Sequence, residues 1–429
     1  MKAAYITLGC KVNQYESNAM RQALEQAGYE TVGENEQADV YVVNSCTVTA
    51  ESSRKSRQAL RAARRRNPNA VTVLTGCYPQ AYADELQTLT EADIVLGNKT
   101  NALLPEAIRL FRETGKRLIE VEPHGRTDGY KGVGAAAFEG HTRAFIKIQD
   151  GCNRYCTYCI IPKSRGFSRS RDPEEIYREL KEIAANGYKE VVFVGINLSA
   201  YGLDTSGNIA DALELAEKTD GIERIRLGSL EPDHLTDEVL TRMRGFSKFC
   251  PQFHLSLQSG CDRTLRRMNR HYDTAFFTDL CDRLRAMFPG LSLTTDIICG
   301  FPGETEEEFR ETVAYAKKTG FMKVHVFPYS PREGTPAAKM DGQIPKEEKA
   351  RRCAILQKEC DGVRAAFLQT LVGTTQRVLF ETPKNGFACG YTENYTPVRV
   401  RTDLPLAGEI RTVRVVESTG NDVRAVLTD

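Results

Sequence analysis

Short apolar runs alternate with helix-period patterns along most of this chain, which restricts the fold to α/β architecture with parallel sheets. In the stretch to about residue 122 the runs are Ala3 to Leu8, Asp39 to Asn44 and Ala70 to Thr75. Helical patterns lie between them, as the crossovers of βαβ units require. Each run ends at a cysteine: Cys10 after Gly9, Cys46 after Ser45, Cys77 after Gly76. Parallel sheets gather ligands beyond the carboxyl ends of their strands, so these distant cysteines are expected to converge. One cysteine at a strand end reads as a small buried residue. Three in the same position, two of them after glycine, favour a shared metal site.

From Thr142 to about Tyr329 the alternation repeats. Candidate strands are Arg143–Gln149, Glu190–Gly195, Glu223–Gly228, Phe253–Leu257, Ser292–Ile298 and Met322–Phe327. Repeated βα units predict a full or partial parallel barrel with its chemistry at the carboxyl ends of the strands. The intervening segment 123–141 is rich in glycine and alanine and reads as a linker or exposed crossing. After a helix spanning roughly Lys346 to Leu371, Val378–Glu381, Thr396–Thr402 and Glu409–Val416 read as strands of a small all-β barrel. The expected domains are 1–122, the linker 123–141, 142–370 and 371–429.

At 429 residues the chain is too long for one ordinary core. No apolar run approaches the ~18 residues that span a bilayer, and the first residues lack the pattern of a signal peptide. The expectation is a soluble cytoplasmic monomer with no membrane contact. Thirteen cysteines in such a compartment point to metal ligation or catalysis before disulfides. A net charge of +1 leaves any affinity for nucleic acid to local patches.

The loop after the first core strand reads Asp150-Gly151-Cys152-Asn153-Arg154-Tyr155-Cys156-Thr157-Tyr158-Cys159. Four thiolates usually hold a 4Fe–4S cluster. Three leave one iron open to an exogenous ligand, as catalytic zinc sites leave one position open. A zinc site built on Cys156 and Cys159 needs a second C-x2-C or a histidine pair at zinc-finger spacing. The sequence has neither.

This loop resembles the radical S-adenosylmethionine signature, with Tyr158 in the aromatic slot before the third cysteine. The resemblance implies a cluster whose open iron chelates the methionine moiety, and reductive cleavage yielding a 5′-deoxyadenosyl radical. Segments around Gly195-Ile196-Asn197, Leu227 to Pro232, His254 to Gly260 and Asp296 to Thr305 also resemble that family. It implies that Tyr158, Gly195, Asn197, Glu231, Ser256 and Gln258 surround the cofactor. A three-cysteine amino-terminal domain, a radical core and a terminal barrel similar to the TRAM domain together resemble the methylthiotransferases over nearly the whole chain. In that family Cys10, Cys46 and Cys77 correspond to ligands of an auxiliary 4Fe–4S cluster that carries the sulfur. The string Leu8 to Glu16 resembles the subgroup acting on N6-threonylcarbamoyladenosine beside the tRNA anticodon.

Basic residues cluster despite the near-neutral total. Arg54, Arg57, Arg61, Arg64 and Arg65 form a cationic helical stripe after Cys46, and are expected to contact RNA phosphate. Lys163, Arg165, Arg169 and Arg171, and Arg263, Arg266, Arg267 and Arg270, read as further patches. From Leu371 onward seven basic residues oppose seven acidic ones, so the terminal barrel's RNA role rests on resemblance. The leading expectation is sulfur insertion and methylation at C2 of the modified adenosine. It uses two 4Fe–4S clusters, S-adenosylmethionine, a reductant protein and a sulfur source the sequence does not identify. Rival readings keep the chemistry on another tRNA adenosine or a ribosomal-protein aspartate, or make the chain a non-catalytic iron–sulfur RNA-binding sensor.

Overall fold

A computed structural model describes residues 1–428 except Val133, Ala136 and Glu139. Part of the expected linker, and the terminal Asp429, therefore lie outside the described residues. The amino-terminal sheet comprises β1 (Lys2–Thr7), β2 (Glu30–Val32), β3 (Val40–Ser45), β4 (Val71–Gly76), β5 (Ile94–Leu96) and β6 (Leu118–Glu120). Its order is β2-β1-β3-β4-β5-β6, with parallel ladders throughout. Every residue of β3 and β4 is buried, as expected for central strands of a covered parallel sheet. The strands not foreseen, β2, β5 and β6, are three residues each, too short to show a period.

The central wall comprises β7 (Arg143–Lys147), a short antiparallel pair β8 (Gln149–Asp150) and β9 (Arg169–Ser170), then β10 (Glu190–Val194), β11 (Arg224–Leu227), β12 (Ser229–Leu230), β13 (Gln252–Gln258), β14 (Ser292–Cys299) and β15 (Lys323–Pro328). Parallel sheets β11-β10-β7 and β12-β13-β14-β15 are joined where β11 runs through Gly228 into β12. No ladder links β7 to β15 among the described residues, which gives the partial barrel expected of the alternation. Several of its helices start at side-chain caps: Asp172 accepts from the amides of Glu174 and Glu175, while Thr305 and Glu308 form a reciprocal capping box.

The carboxyl-terminal strands β16 (Thr375–Phe380), β17 (Phe387–Thr392), β18 (Pro397–Arg401), β19 (Ile410–Ser418) and β20 (Val423–Leu427) close into a barrel ordered β16-β17-β18-β20-β19. Its β17–β18 turn plugs the amino-terminal end of the central wall. Arg226 donates to the carbonyls of Thr392 (2.7 Å) and Glu393 (2.6 Å), and Ser292 Oγ donates to that of Asn394 (2.5 Å).

The segment 123–141 is not exposed throughout. Phe138 is fully buried, meets Phe145 and Tyr188 edge to face, and its carbonyl accepts from Tyr188 Oη at 3.1 Å. One aromatic in a glycine- and alanine-rich run gives no periodic signal, so this docking is invisible in sequence.

The amino-terminal sheet is fastened to the central wall by buried charge. Glu16, on the helix after β1, accepts from Lys147 Nζ at 2.7 Å and from Arg165 Nη2 at 2.8 Å. Asp150 accepts from Lys147 (2.9 Å) and Arg169 (3.0 Å). Arg165 is fully buried, and Arg169 and Arg171 nearly so. These arginines therefore do not form the phosphate patch that their spacing predicts. A side chain's direction depends on which element covers it, which spacing does not encode.

Glu16→Ala would leave Lys147 and Arg165 without their shared carboxylate, a loss expected to cost about 3–5 kcal/mol. Urea titration measures it, and a change below about 1 kcal/mol would contradict the assignment. Burial raises the pKa of Glu16 and Asp150, but the surrounding cations outweigh it and hold both below the ordinary carboxylate range. Their folded values lie below the unfolded ones. The stabilisation is therefore complete above the unfolded range and is lost as pH falls through the folded values, from about pH 5 downward. The urea midpoint should fall more steeply on the acid side in wild type than in the Glu16→Ala, Asp150→Asn double variant, which keeps only the slope of the other paired carboxylates, such as Glu190 and Glu308.

Candidate active site

Two cysteine trios stand at strand-to-helix junctions. Cys10 caps the helix Lys11–Gln26, Cys46 follows β3, and Cys77 opens a short helix after β4. Gly9 and Gly76 make this convergence possible. Both hold positive φ (+110° and +95°), and a Cβ would fall 2.8 Å from Cys46 Cβ at Gly9 and 2.5 Å from the Ser45 carbonyl at Gly76. Asn13 ties the loops together: its Nδ2 donates to the carbonyls of Leu8 and Ser45, both at 2.9 Å.

The donors around the sulfurs are similar in the two trios. In the first, Val48 N donates to Cys46 Sγ (3.5 Å) and Arg165 Nε to Cys77 Sγ (3.2 Å). In the second, Asn197 Nδ2 donates to Cys152 Sγ (3.8 Å) and Arg270 Nη1 to Cys156 Sγ (3.1 Å). Each trio thus has one buried arginine against a sulfur. Burial pushes the thiol of Cys77 up to about 12, Cys159 to about 12 and Cys152 to about 11. Such thiols give up their protons at neutral pH only to a cation that takes the proton's place, as metal ligands do.

The donor sets fit clusters better than single ions. Among the described residues no three of these sulfurs lie within 4.8 Å of one another. A tetrahedral zinc site, with Zn–S bonds of about 2.3 Å, spaces its sulfurs about 3.8 Å apart. Charge agrees. Lys147, Arg165 and Arg169 face only Glu16 and Asp150, and Arg165 of this surplus-positive group touches Cys77. A site of thiolates and cluster would supply the missing negative charge.

Arg270 gathers four residues that sequence resemblance assigns to the second site or its cofactor. Besides Cys156, it donates to Glu231 Oε2 (2.5 Å), the Ser256 carbonyl (3.0 Å) and Tyr158 Oη (3.5 Å). Gly195 and Asn197 lie on Gln149, whose Oε1 accepts from Asn197 N at 2.8 Å, and a Cβ on Gly195 would fall 3.0 Å from that oxygen. Gln258 takes φ +68° where the β13–β14 ladder shifts register. The sequence reading places Arg165 and Arg270 among phosphate-facing residues. Nothing local marks either as a sulfur partner, because both contacts are tertiary.

The arginine stripe divides. Arg64 is held by Asp93 (2.7 Å), Thr72 (2.9 Å) and the Ala70 carbonyl (3.1 Å), Arg61 by Glu91 (2.7 Å), and Arg54 by Glu51. Arg57 and Arg65 are exposed.

A cavity of about 630 Å³ occupies the interior of the partial barrel. Cys10 and Lys11 enter it from the amino-terminal domain, Gly195, Gly228 and Ser229 from strand ends, and Tyr391 and Tyr395 from the terminal barrel. On its wall His254, Asp296 and His325 each place a ligand atom within 4.8 Å of the others, with His254 Nε2 at 3.2 Å from Asp296 Oδ2.

Removing a hydrogen-bond partner of a metal ligand typically weakens metal binding ~10–100-fold. Arg165→Met is expected to weaken iron retention at Cys10, Cys46 and Cys77 by that factor and spare the other trio, with Arg270→Met doing the reverse. Iron retained against graded chelator, measured in each trio's Cys→Ala background, distinguishes them. Equal losses at both trios would contradict the pairing.

Residues 146–316 match the Radical SAM superfamily, residues 2–97 the Uncharacterized protein family UPF0004, and residues 369–428 the TRAM domain. Threonylcarbamoyladenosine tRNA methylthiotransferase MtaB of Bacillus subtilis (strain 168) is 39% identical over 422 residues, 97% of this chain and 94% of its own. Its namesake from Thermotoga maritima is 39% identical over 411 residues, 95% and 93% of the two chains. The tRNA-2-methylthio-N(6)-dimethylallyladenosine synthase of Clostridium novyi (strain NT) is 35% identical over 388 residues, 88% and 85%. Among solved structures, the radical S-adenosylmethionine methyltransferase TsrM from Kitasatospora setae shares the fold, with TM-score 0.57, 15% identity, and coverage of 79% of this chain and 76% of that one. With three matched regions in the order its architecture shows, the chain belongs to the radical SAM tRNA methylthiotransferases, enzymes that transfer sulfur and a methyl group.

Proposed function

We propose that this enzyme adds a methylthio group to C2 of N6-threonylcarbamoyladenosine beside the tRNA anticodon. In this reading Cys152, Cys156 and Cys159 hold the 4Fe–4S cluster that binds S-adenosylmethionine, and Cys10, Cys46 and Cys77 hold an auxiliary one. The observation that carries it is the shared cavity. Cys10 opens into it from one side, and Gly195, two residues from the Asn197 amide that donates to Cys152, from the other. The two most similar relatives quoted above are both named for the threonylcarbamoyl substrate.

An aromatic C–H at C2 resists acid–base attack, and a bound cluster with S-adenosylmethionine supplies the radical chemistry that breaks it. The chain's own groups place and enclose that chemistry. Arg270 orients Glu231 and the Ser256 carbonyl beside Cys156. Arg165 keeps Cys77 and Asn13 in register with Glu16. The terminal barrel closes the floor against water. A base has to leave its stack to enter such a cavity. Arg57 and Arg65, with the outer face of Arg54 and Arg61, are the stripe's contribution to phosphate binding. A reductant protein supplies electrons.

Anaerobically prepared enzyme should contain about eight irons, falling to about four in the Cys10→Ala, Cys46→Ala, Cys77→Ala variant. Given tRNAs bearing either threonylcarbamoyl- or dimethylallyladenosine, the holoenzyme should convert only the former, as read by nucleoside mass analysis. Conversion of the dimethylallyl nucleoside alone would overturn the substrate, the outcome that the Clostridium novyi relative's name describes.

A further inference from the structure

The cavity's charge is strongly one-sided. Lys11, Arg143, Arg226, Lys323 and Arg364 line it against a single carboxylate, Asp296, and Asp296 already lies 3.2 Å from His254. Several of these cations are engaged. Arg143 is 2.6 Å from Glu381, Arg226 is 2.7 Å from Glu190, and Arg364 donates to the Asn421 carbonyl. Glu190 also lies 3.7 Å from Arg224 and 3.9 Å from Arg143, so three guanidinium groups share its charge. Lys11 makes no hydrogen bond or ion pair among the described residues, although it follows Cys10 directly and its charge acts on Tyr395 and His325.

The floor under Lys11 is preorganised. Tyr391 and Tyr395 stack at 4.6 Å with ring planes 14° apart. Arg143 lies over both rings, and Arg226 over Tyr395 at 5.0 Å. Arg143 Nη1 also donates to Tyr395 Oη at 2.8 Å. Burial alone raises the pKa of Tyr395, yet Arg143, Lys11 and Arg226 outweigh it and leave the phenol lowered. The floor therefore directs a positive field into a cavity lined by five cations and one carboxylate.

We propose that Lys11, above the Arg143–Tyr395–Arg226 floor, binds the carboxylate of the threonylcarbamoyl group and so selects this base over adenosines with a neutral N6 substituent. The inference rests on the substrate reading above and adds the group that reads it. Acylating threonine's nitrogen leaves its carboxylate free and ionised, whereas a dimethylallyl group is an uncharged hydrocarbon. Lys11, exposed to the cavity and without a partner of its own among the described residues, gains a charge-assisted contact from the first and none from the second, which would leave it unpaired. The position beside Cys10 holds the anionic tail on the side where the auxiliary cysteines meet the base.

The test is binding of anticodon stem-loops to the reconstituted holoenzyme without reductant, so that no turnover intervenes. The stem-loops carry threonylcarbamoyladenosine, the isosteric carboxamide in place of its carboxylate, or unmodified adenosine. One charge-assisted contact predicts that wild type binds the carboxylate form about 10- to 100-fold more tightly than the carboxamide. Lys11→Met should bring that ratio close to one, Lys11→Arg should restore part of it, and iron and sulfide content should remain that of wild type. Equal binding of carboxylate and carboxamide by wild type, both tighter than unmodified adenosine, would overturn the inference and leave the substrate reading standing. A carboxylate preference that persists in Lys11→Met would also overturn it. Wild type that binds unmodified adenosine as tightly as the modified base would overturn the substrate reading itself.

Discussion

Arg165 is the point at which the two halves of the candidate active site become one structure. It has no solvent exposure, and its guanidinium contacts Cys77, Asn13 and Glu16 together. Taking a charge this far from water costs several kcal/mol unless its hydrogen-bonding capacity is filled. Here the filling comes from the amino-terminal domain, while Arg165 itself belongs to the chain just after the Cys152–Cys159 loop. The two domains therefore cannot slide past each other without stranding a buried cation. Lys147 and Asp150 extend the constraint into β7 and β8, and the spacing between the cysteine trios follows from this lock.

A second constraint acts at the opposite end of the central wall. Arg143, Glu190, Arg224 and Arg226, at or near the amino-terminal ends of β7, β10 and β11, would face water at the bottom of an open barrel. The β17–β18 turn covers them and offers backbone carbonyls and a phenol in return. The TRAM domain thus also forms the floor of the central cavity. Its formal charge is close to balanced along the sequence, but the charge the cavity senses comes from the core arginines that it buries.

Much of the fold was legible because periodicity is local. The six central strands begin and end within a few residues of where apolar runs predict them, and the three cysteine-ending runs are β1, β3 and β4. The strands left unseen have physical reasons. β5 and β6 are too short to show alternation, and β17 carries Gly390 and Thr392 at inward positions where repeating apolar residues would stand. The cysteines were legible for a different reason: thiolate chemistry needs few residue types, and their placement after strands follows from topology.

What the sequence by itself determined is the set of parts: a parallel sheet ending in three cysteines, a βα barrel opening with a C-x3-C-x2-C loop, and a small β barrel behind them. Tertiary structure alone decided what the charges do. Arg165 and Arg270 read as members of basic clusters, yet each is sealed against a cysteine sulfur, and Lys11 faces a cavity in which cations outnumber carboxylates. An arginine's sequence neighbours give its charge but not its surroundings. Whether it meets phosphate, carboxylate or thiolate depends on which distant segments exclude water from it, and that is settled only when the three domains pack.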